Sequence, residues 1–252
     1  MNSIDPVILK QNFDRDGYIF IPGFLSKEEI TQINSKLENF LRESVPEMPP
    51  KHVFYEVKDD PSTLKQLQDL QEYDPFFADI LFNSEFERIA EVLLEDKVIG
   101  KTLEYFNKPP KIGKPTPPHQ DGYYFMLKPQ KAVTMWMALE DVDEENGCVR
   151  YIKGSHLKGM RPHGKTETTG FSQGITDYPT TDDVEIPFPA KPGDLLIHHS
   201  LTIHRADGNS SNFRTRKAMG FIYFGESAKE DVEAKAAYQK KLQEERFGSG
   251  SK

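Results

Sequence analysis

The sharpest chemical feature of the 252-residue chain is the triplet His119-Gln120-Asp121. On a strand or strand edge, residues i and i+2 project to the same side. The triplet can therefore present an imidazole and a carboxylate to one point. Those are two of the three ligands of a 2-His-1-carboxylate facial triad, which holds Fe(II) and leaves positions open. The third ligand must be a histidine brought in by a distant strand. His156, His163, His198, His199 and His204 are the candidates. A histidine–aspartate pair of this spacing also serves as an ordinary surface or structural pair, so the surrounding elements have to decide.

Those elements fall into two textures. Before about residue 97 the pattern is largely helical. A short helix is expected over 8–13, ending near Gly17, and a strand over 18–21 stops at Pro22-Gly23. Ser26 and Glu29 form a capping box, and Ile30, Ile33, Leu37, Phe40 and Leu41 give the helix behind it an apolar stripe. Residues 62–95 carry further helical patterns, among them Leu64, Leu67 and Leu70. From residue 98 short β-like runs take over: 98–106, 123–127, 133–139, 148–152, 184–186, 194–199 and 218–224. Asn146-Gly147, Lys153-Gly154 and Pro192-Gly193 mark turns between them. This spacing suits an antiparallel sandwich or jelly roll. The proline-rich stretch 108–118 reads as a loop, and the polar stretch 157–183 as a lid or active-site loop. A charged helix is expected from 227 to about 247, followed by a flexible tail.

Composition narrows the function classes. Thirty-two basic and 40 acidic side chains give a net charge of −8, against a nucleic-acid binder that relies on a broad basic surface. No apolar run approaches the roughly 20 residues that span a bilayer. The N-terminus lacks the pattern of a secretory signal and the C-terminus lacks a peroxisomal SKL ending. The single cysteine, Cys148, excludes an intramolecular disulfide framework and a multi-cysteine zinc site. A cytoplasmic enzyme or small-molecule binder is expected, with no nucleic-acid or membrane partner.

Asp194-Leu195-Leu196-Ile197 reads as a buried strand with His204 just beyond it, and Arg214-Thr215-Arg216-Lys217 leads into the strand 218–224. A guanidinium near an iron site is the planar, permanently charged partner that the distal carboxylate of 2-oxoglutarate needs. From composition alone, an ordinary solvated edge is the more common role for either arginine.

At this point the chain resembles the phytanoyl-CoA dioxygenase family of Fe(II)/2-oxoglutarate oxygenases over about residues 10–225. The resemblance runs through Asp16-Gly17-Tyr18-Ile19, Asn107-Lys108-Pro109-Pro110, His119-Gln120-Asp121 and the stretch from Thr134 to Asp141. It continues through Glu145-Asn146-Gly147-Cys148, Gly154-Ser155-His156, Pro192-Gly193-Asp194, His204 and Arg216-Lys217-Ala218. It implies a double-stranded β-helix (jelly roll, cupin-like), mainly β with flanking helices. It further implies a single dioxygenase domain over 1–252: a helical part to about 97, a jelly-roll core over about 98–226 and a C-terminal helix over about 227–247.

The same resemblance implies roles. His119, Asp121 and His204 match the Fe(II) ligands. Arg216 matches the anchor of the 2-oxoglutarate distal carboxylate, with Arg214 as second choice. Gln120 and Trp136 match residues lining the co-substrate pocket, and Lys65 matches a lysine reaching it. His156 matches a structural turn. Strand alternation sends His198 and His199 to opposite faces, with His199 expected at the pocket and His198 away from it. Ala206 stands where relatives often carry a small hydroxyl residue. The implied reaction consumes O2 and 2-oxoglutarate, releases succinate and CO2, and hydroxylates an unactivated C–H bond of a small-molecule or acyl-CoA-type substrate. A carboxylate at Asp121 favours hydroxylation over halogenation. The alternative is a non-catalytic metal- or ligand-binding jelly roll, against which the intact triad and Arg216 both argue.

Overall fold

The computed structural model describes residues 5–240 apart from 59, 169 and 239. Asp5 accepts a hydrogen bond from Val7 N and caps helix α1 (Pro6–Asp16). Gly17 closes that helix at φ 81°, where a Cβ would lie 2.3 Å from His156 Nδ1, so glycine is required on two counts. Strand β1 (Tyr18–Ile21) follows. Helix α2 (Lys27–Glu43) opens on the expected capping box, with Ser26 Oγ accepting from Glu29 N and the Glu29 carboxylate accepting from Ser26 N. It buries Ile30, Ile33, Leu37 and Phe40.

The next segment departs from expectation. Strands β2 (Val53–Tyr55) and β3 (Leu64–Leu67) precede helices α3 (Pro75–Phe82) and α4 (Glu85–Leu94). Leu64, Leu67 and Leu70 therefore do not form a helical stripe. A leucine every third residue fits a short strand as well as a helix, and the open edge of β4 (Val98–Asn107) captures the segment, pairing Gln66 with Phe106 and Leu67 with Tyr105.

Beyond β4 come β5 (Thr116–His119), the one-turn helix α5 (Gly122–Phe125), β6 (Leu127–Lys128), β7 (Ala132–Ala138), β8 (Val149–Ile152), β9 (His163–Thr168) and β10 (Phe171–Ile175). Next are β11 (Glu185–Phe188), β12 (Leu195–His199), β13 (His204–Ala206), β14 (Lys217–Gly225) and β15 (Lys229–Glu230). Two expectations change here. Thr116–His119, with Pro117 and Pro118, is an edge strand, where a missing N–H costs no ladder bond. The run 123–127 is mostly helical turn, because the Asp121 carbonyl accepts from both Tyr124 N and Phe125 N. The polar stretch 157–183 contains the hairpin β9–β10. Helix occupies 232–238, and the rest of the expected C-terminal helix lies outside the described residues.

The larger sheet runs β1-β12-β7-β14-β4-β3-β2 and faces the smaller sheet β11-β8-β13-β5. All pairings are antiparallel, and the architecture is the expected jelly roll. Alternation along β7 decides what each face does. Met135 and Met137 point outward into a core shared with α2, α3 and α4, where Phe86 stacks on Phe221 at 4.0 Å between ring centroids. Trp136 and Ala138 point inward, toward Tyr151, Val149 and Leu196. The helices thus brace the outer face of the large sheet, and the chemistry-bearing side chains line the space between the sheets. Among the described residues no helix is long and apolar enough to cross a membrane.

Candidate active site

Strands β5 and β13 pair so that His119 lies opposite His204. Asp121 follows two residues after His119, at the mouth of α5. The Nε2 atoms of His119 and His204 lie 3.3 and 3.6 Å from Asp121 Oδ1, and the three ligand atoms fall within 4.8 Å of one another. Each imidazole has its other nitrogen committed. His119 Nδ1 donates to Pro117 O at 2.8 Å and His204 Nδ1 donates to Thr202 O at 3.0 Å. A carbonyl can only accept, so both rings carry the proton on Nδ1 and turn the Nε2 lone pair toward the shared point. Burial, with His119 and His198 alongside, holds the His204 pKa well below its ordinary value, so the ring is neutral as a ligand must be. Burial alone would raise the Asp121 carboxyl, but His204, His119 and His198 outweigh it and hold it well below the carboxylate range. Donor types, tautomers and charge all fit a divalent transition metal.

The second carboxylate oxygen is also held. Thr134 Oγ1 donates to Asp121 Oδ2 at 2.5 Å, and His198 Nε2 lies 3.0 Å from the same atom. His198 Nδ1 is 2.9 Å from the Tyr151 hydroxyl. The consistent assignment is Tyr151 O–H donating to His198 Nδ1, and His198 Nε2–H donating to Asp121. This corrects the expectation for the two neighbouring histidines. His198 faces inward, level with Thr134 across the sheet, whereas His199 packs outward near Phe13 and His156. Alternation separates them, but only the register of β12 on β7 says which one faces in.

A cavity of about 460 Å³ opens from this point between the sheets. At one end lies Arg216, 5% exposed, with its guanidinium carbon 5.5 Å from the Trp136 ring centroid. Its Nε and Nη1 atoms have no hydrogen-bond partner, and burial lowers its pKa to about 10. Lys65 and Lys108 line the same end, both buried, with pKa values lowered chiefly by burial. Lys65 Nζ stands 3.3 Å from Glu56 Oε1, and Lys108 Nζ donates to Lys114 O. The expected residues Arg216, Trp136 and Lys65 therefore converge in one cavity with the histidine–aspartate cluster.

Two expected pocket residues do not join them. Arg214 binds Asp143 and Glu145 on the outer side of the chain, because residues 214 and 216 flank the entry to β14 and only the second turns inward. Gln120 is buried, but its amide is consumed in bonds with Gly159 O, Leu201 O and Arg161 N. It sits between two residues that face the cavity and points the other way, fastening the 159–161 turn. His156 bonds Asp14 O, in keeping with a structural turn. The hairpin β9–β10 covers the cavity, with Phe171 5.0 Å from the His119 ring centroid to centroid. Sequence reasoning missed the inward placement of His198 and the bonds by which Tyr151 and Thr134 support the cluster. Of these, only the alternation along β7 and β12 carried a signal, and it needed a register.

The family model described as phytanoyl-CoA dioxygenase (PhyH) matches residues 13–218. The chain belongs to the phytanoyl-CoA dioxygenase family. As a family member it is an Fe(II)/2-oxoglutarate-dependent dioxygenase, an oxidoreductase using O2 as co-substrate. Among its relatives are the peroxisomal phytanoyl-CoA dioxygenase of Mus musculus, 27% identical over 97% of this chain and 75% of that protein. The phytanoyl-CoA dioxygenase of Arabidopsis thaliana is 29% identical over 79% of this chain and 82% of that one. In fold, this phytanoyl-CoA dioxygenase-family chain is similar to the α-ketoglutarate-dependent carbocyclase SnoK from nogalamycin biosynthesis. The TM-score is 0.72 at 24% identity, covering 90% of this chain and 86% of that one. EctD from S. alaskensis, solved with 2-oxoglutarate and 5-hydroxyectoine, gives a TM-score of 0.73 at 19% identity, covering 89% and 78%.

Proposed function

We propose that the chain hydroxylates an unactivated C–H bond of a small-molecule or acyl-CoA-type substrate. In this proposal His119, Asp121 and His204 hold Fe(II), and Arg216, Trp136 and Lys65 hold 2-oxoglutarate. The observation that carries it is the convergence, in one cavity, of two imidazole Nε2 atoms and a carboxylate with an unpaired, buried guanidinium. Bound Fe(II), 2-oxoglutarate and O2 together supply oxidative decarboxylation to succinate and CO2 and the oxidising equivalent for the C–H bond.

The chain's own residues do the rest. Pro117 and Thr202 carbonyls fix the imidazole tautomers; Thr134 and His198 fix the carboxylate. The Arg216 guanidinium presents two free N–H donors to a carboxylate, and Lys65 and Lys108 add positive charge at the same end. Ala206 lacks a hydroxyl, but Thr116, its partner across β13–β5, places one on the cavity wall. The hairpin β9–β10 with Phe171 and Tyr124 excludes water from the metal side. Cys148, buried and unpaired, suits a reducing compartment, and a cytoplasmic setting is part of the same proposal.

The test is an anaerobic titration of purified protein with Fe(II) and then 2-oxoglutarate, followed by the visible charge-transfer band of a chelated 2-oxo acid. The band should form, decay on admitting air and leave succinate. His119→Ala should form no band. Full succinate production by that variant would overturn the ligand assignment.

A further inference from the structure

The cavity has two electrically different ends. Arg216, Lys65 and Lys108 are mutual neighbours at one end. Further along the same sheet, β3 and β4 carry Gln66, Thr102, Glu104 and Phe106 on the cavity side, while Leu103 and Tyr105 face the helical core. Glu104 is 8% exposed and lies in register with Gly220, which in turn pairs with Trp136. Its carboxylate is thus set across a glycine from the indole, at a register position four residues along the chain from Arg216.

Among the described residues no lysine, arginine or histidine forms an ion pair with Glu104. Its hydrogen-bond partners are neutral side-chain amides, Gln66, whose Nε2 lies 3.1 Å from Oε2, and Gln68. The charged groups that act on it are both acidic, Asp121 and Asp69. Lys101 also lines the mouth, but its ammonium lies over the Phe224 ring, 5.4 Å from the centroid. Gln66 is 3% exposed, lines the same cavity and leaves its own Oε1 without a donor. Burial raises the Glu104 carboxyl to about 8, with Gln66 and Gln68 working against the rise and Asp121 and Asp69 adding to it. A buried acceptor with no donor is costly, and a bare carboxylate more so, which is why Glu104 keeps its proton until a cation comes within reach. Two such groups, side by side on paired strands, are complementary to a positively charged donor arriving from the cavity. Phe106, Phe125 and Phe224 supply ring faces around it.

Resting on the active-site assignment above, we propose that the prime substrate carries a protonated amine, which binds the Glu104 carboxylate and the Gln66 side-chain carbonyl. The oxidised C–H bond then lies on the same molecule, between this anchor and the metal cluster. Arg216 takes the carboxylate of 2-oxoglutarate and Glu104 takes the cation of the substrate, so the two charges cannot exchange places.

The test uses hexylammonium as probe, with hexanol and hexanoate as matched controls. Each is titrated calorimetrically into protein held anaerobically with excess Fe(II) and 2-oxoglutarate. Hexylammonium should bind at least about tenfold more tightly than either control, as a charge-assisted hydrogen bond implies. Glu104→Gln should lose that preference while still forming the charge-transfer band and melting no lower than the parent. Glu104→Asp should retain part of the preference. The proposal is overturned if hexanol or hexanoate binds as tightly, if no amine binding is detected, or if Glu104→Gln binds the amine unchanged. The band reports separately on the metal and co-substrate assignment. If it fails to form, that assignment falls, while the amine titration still decides the role of Glu104.

Discussion

Arg216→Met separates two effects of one guanidinium. In the ligand-free protein Arg216 is a buried cation with two unpaired N–H donors, and burial brings its pKa from 12.5 to about 10. At about 1.4 kcal/mol per tenfold change in the proton equilibrium, that is about 3 kcal/mol against the charged side chain. The sign is that of a cation with a lowered pKa: the penalty is fully present at pH 7 and is relieved only as pH rises through about 10. The contact with the Trp136 ring returns about 0.5–2 kcal/mol, so methionine should stabilise the ligand-free protein by about 1–2 kcal/mol. For a chain of this size that raises Tm by about 2–6 °C. The same change should remove the partner of the 2-oxoglutarate distal carboxylate. Leaving one member of a buried charge pair alone costs about 2–5 kcal/mol, or about 30-fold to several thousand-fold in affinity. Thermal denaturation of metal-free protein, with and without saturating 2-oxoglutarate, reads both effects. The variant should start higher and gain little from the ligand. A variant that melts lower than the parent and keeps the full ligand-induced rise would refute the placement of 2-oxoglutarate on Arg216.

Three other outcomes follow from the geometry. His198→Phe removes a donor to Asp121 Oδ2 and should weaken Fe(II) binding by about 10–100-fold, measured by competition with a chelator, while 2-oxoglutarate affinity at saturating metal changes less. Arg214→Ala should leave the 2-oxoglutarate dissociation constant unchanged, since its guanidinium is engaged by Asp143 and Glu145; a large rise would move the anchor from 216 to 214. Glu104 keeps its proton to about 8 in the folded chain but releases it near 4.5 when unfolded, so the unfolded state binds fewer protons between these values. Stability should therefore fall as pH rises through that window and level off above it, with Asp121 and Asp69 the acidic groups acting on Glu104. Glu104→Gln should flatten that slope in urea denaturation run at several pH values, and an unchanged slope would assign it to other groups.

The sequence determined the chemistry-bearing residue types and the elements whose signals are local. The capping box at Ser26 and Glu29 is complete within four residues, so α2 begins where the sequence says. His119 and Asp121 share a side because two residues of extended chain suffice to put them there. Tertiary structure decided whatever depended on a partner. The 64–67 segment is a strand because β4 offers an edge, and a leucine spacing of three cannot reveal that edge. Whether His198 or His199 faces the metal cluster depends on the register of β12 against β1 and β7. Gln120 and Arg214 differ from their useful neighbours only in which way the chain turns at a strand end. Glu104 is an unremarked acid in a strand until its neighbours are known. A carboxylate's solvation and its lack of a cation are properties of the space around it, and that space is enclosed by strands as distant in sequence as β3 and β14.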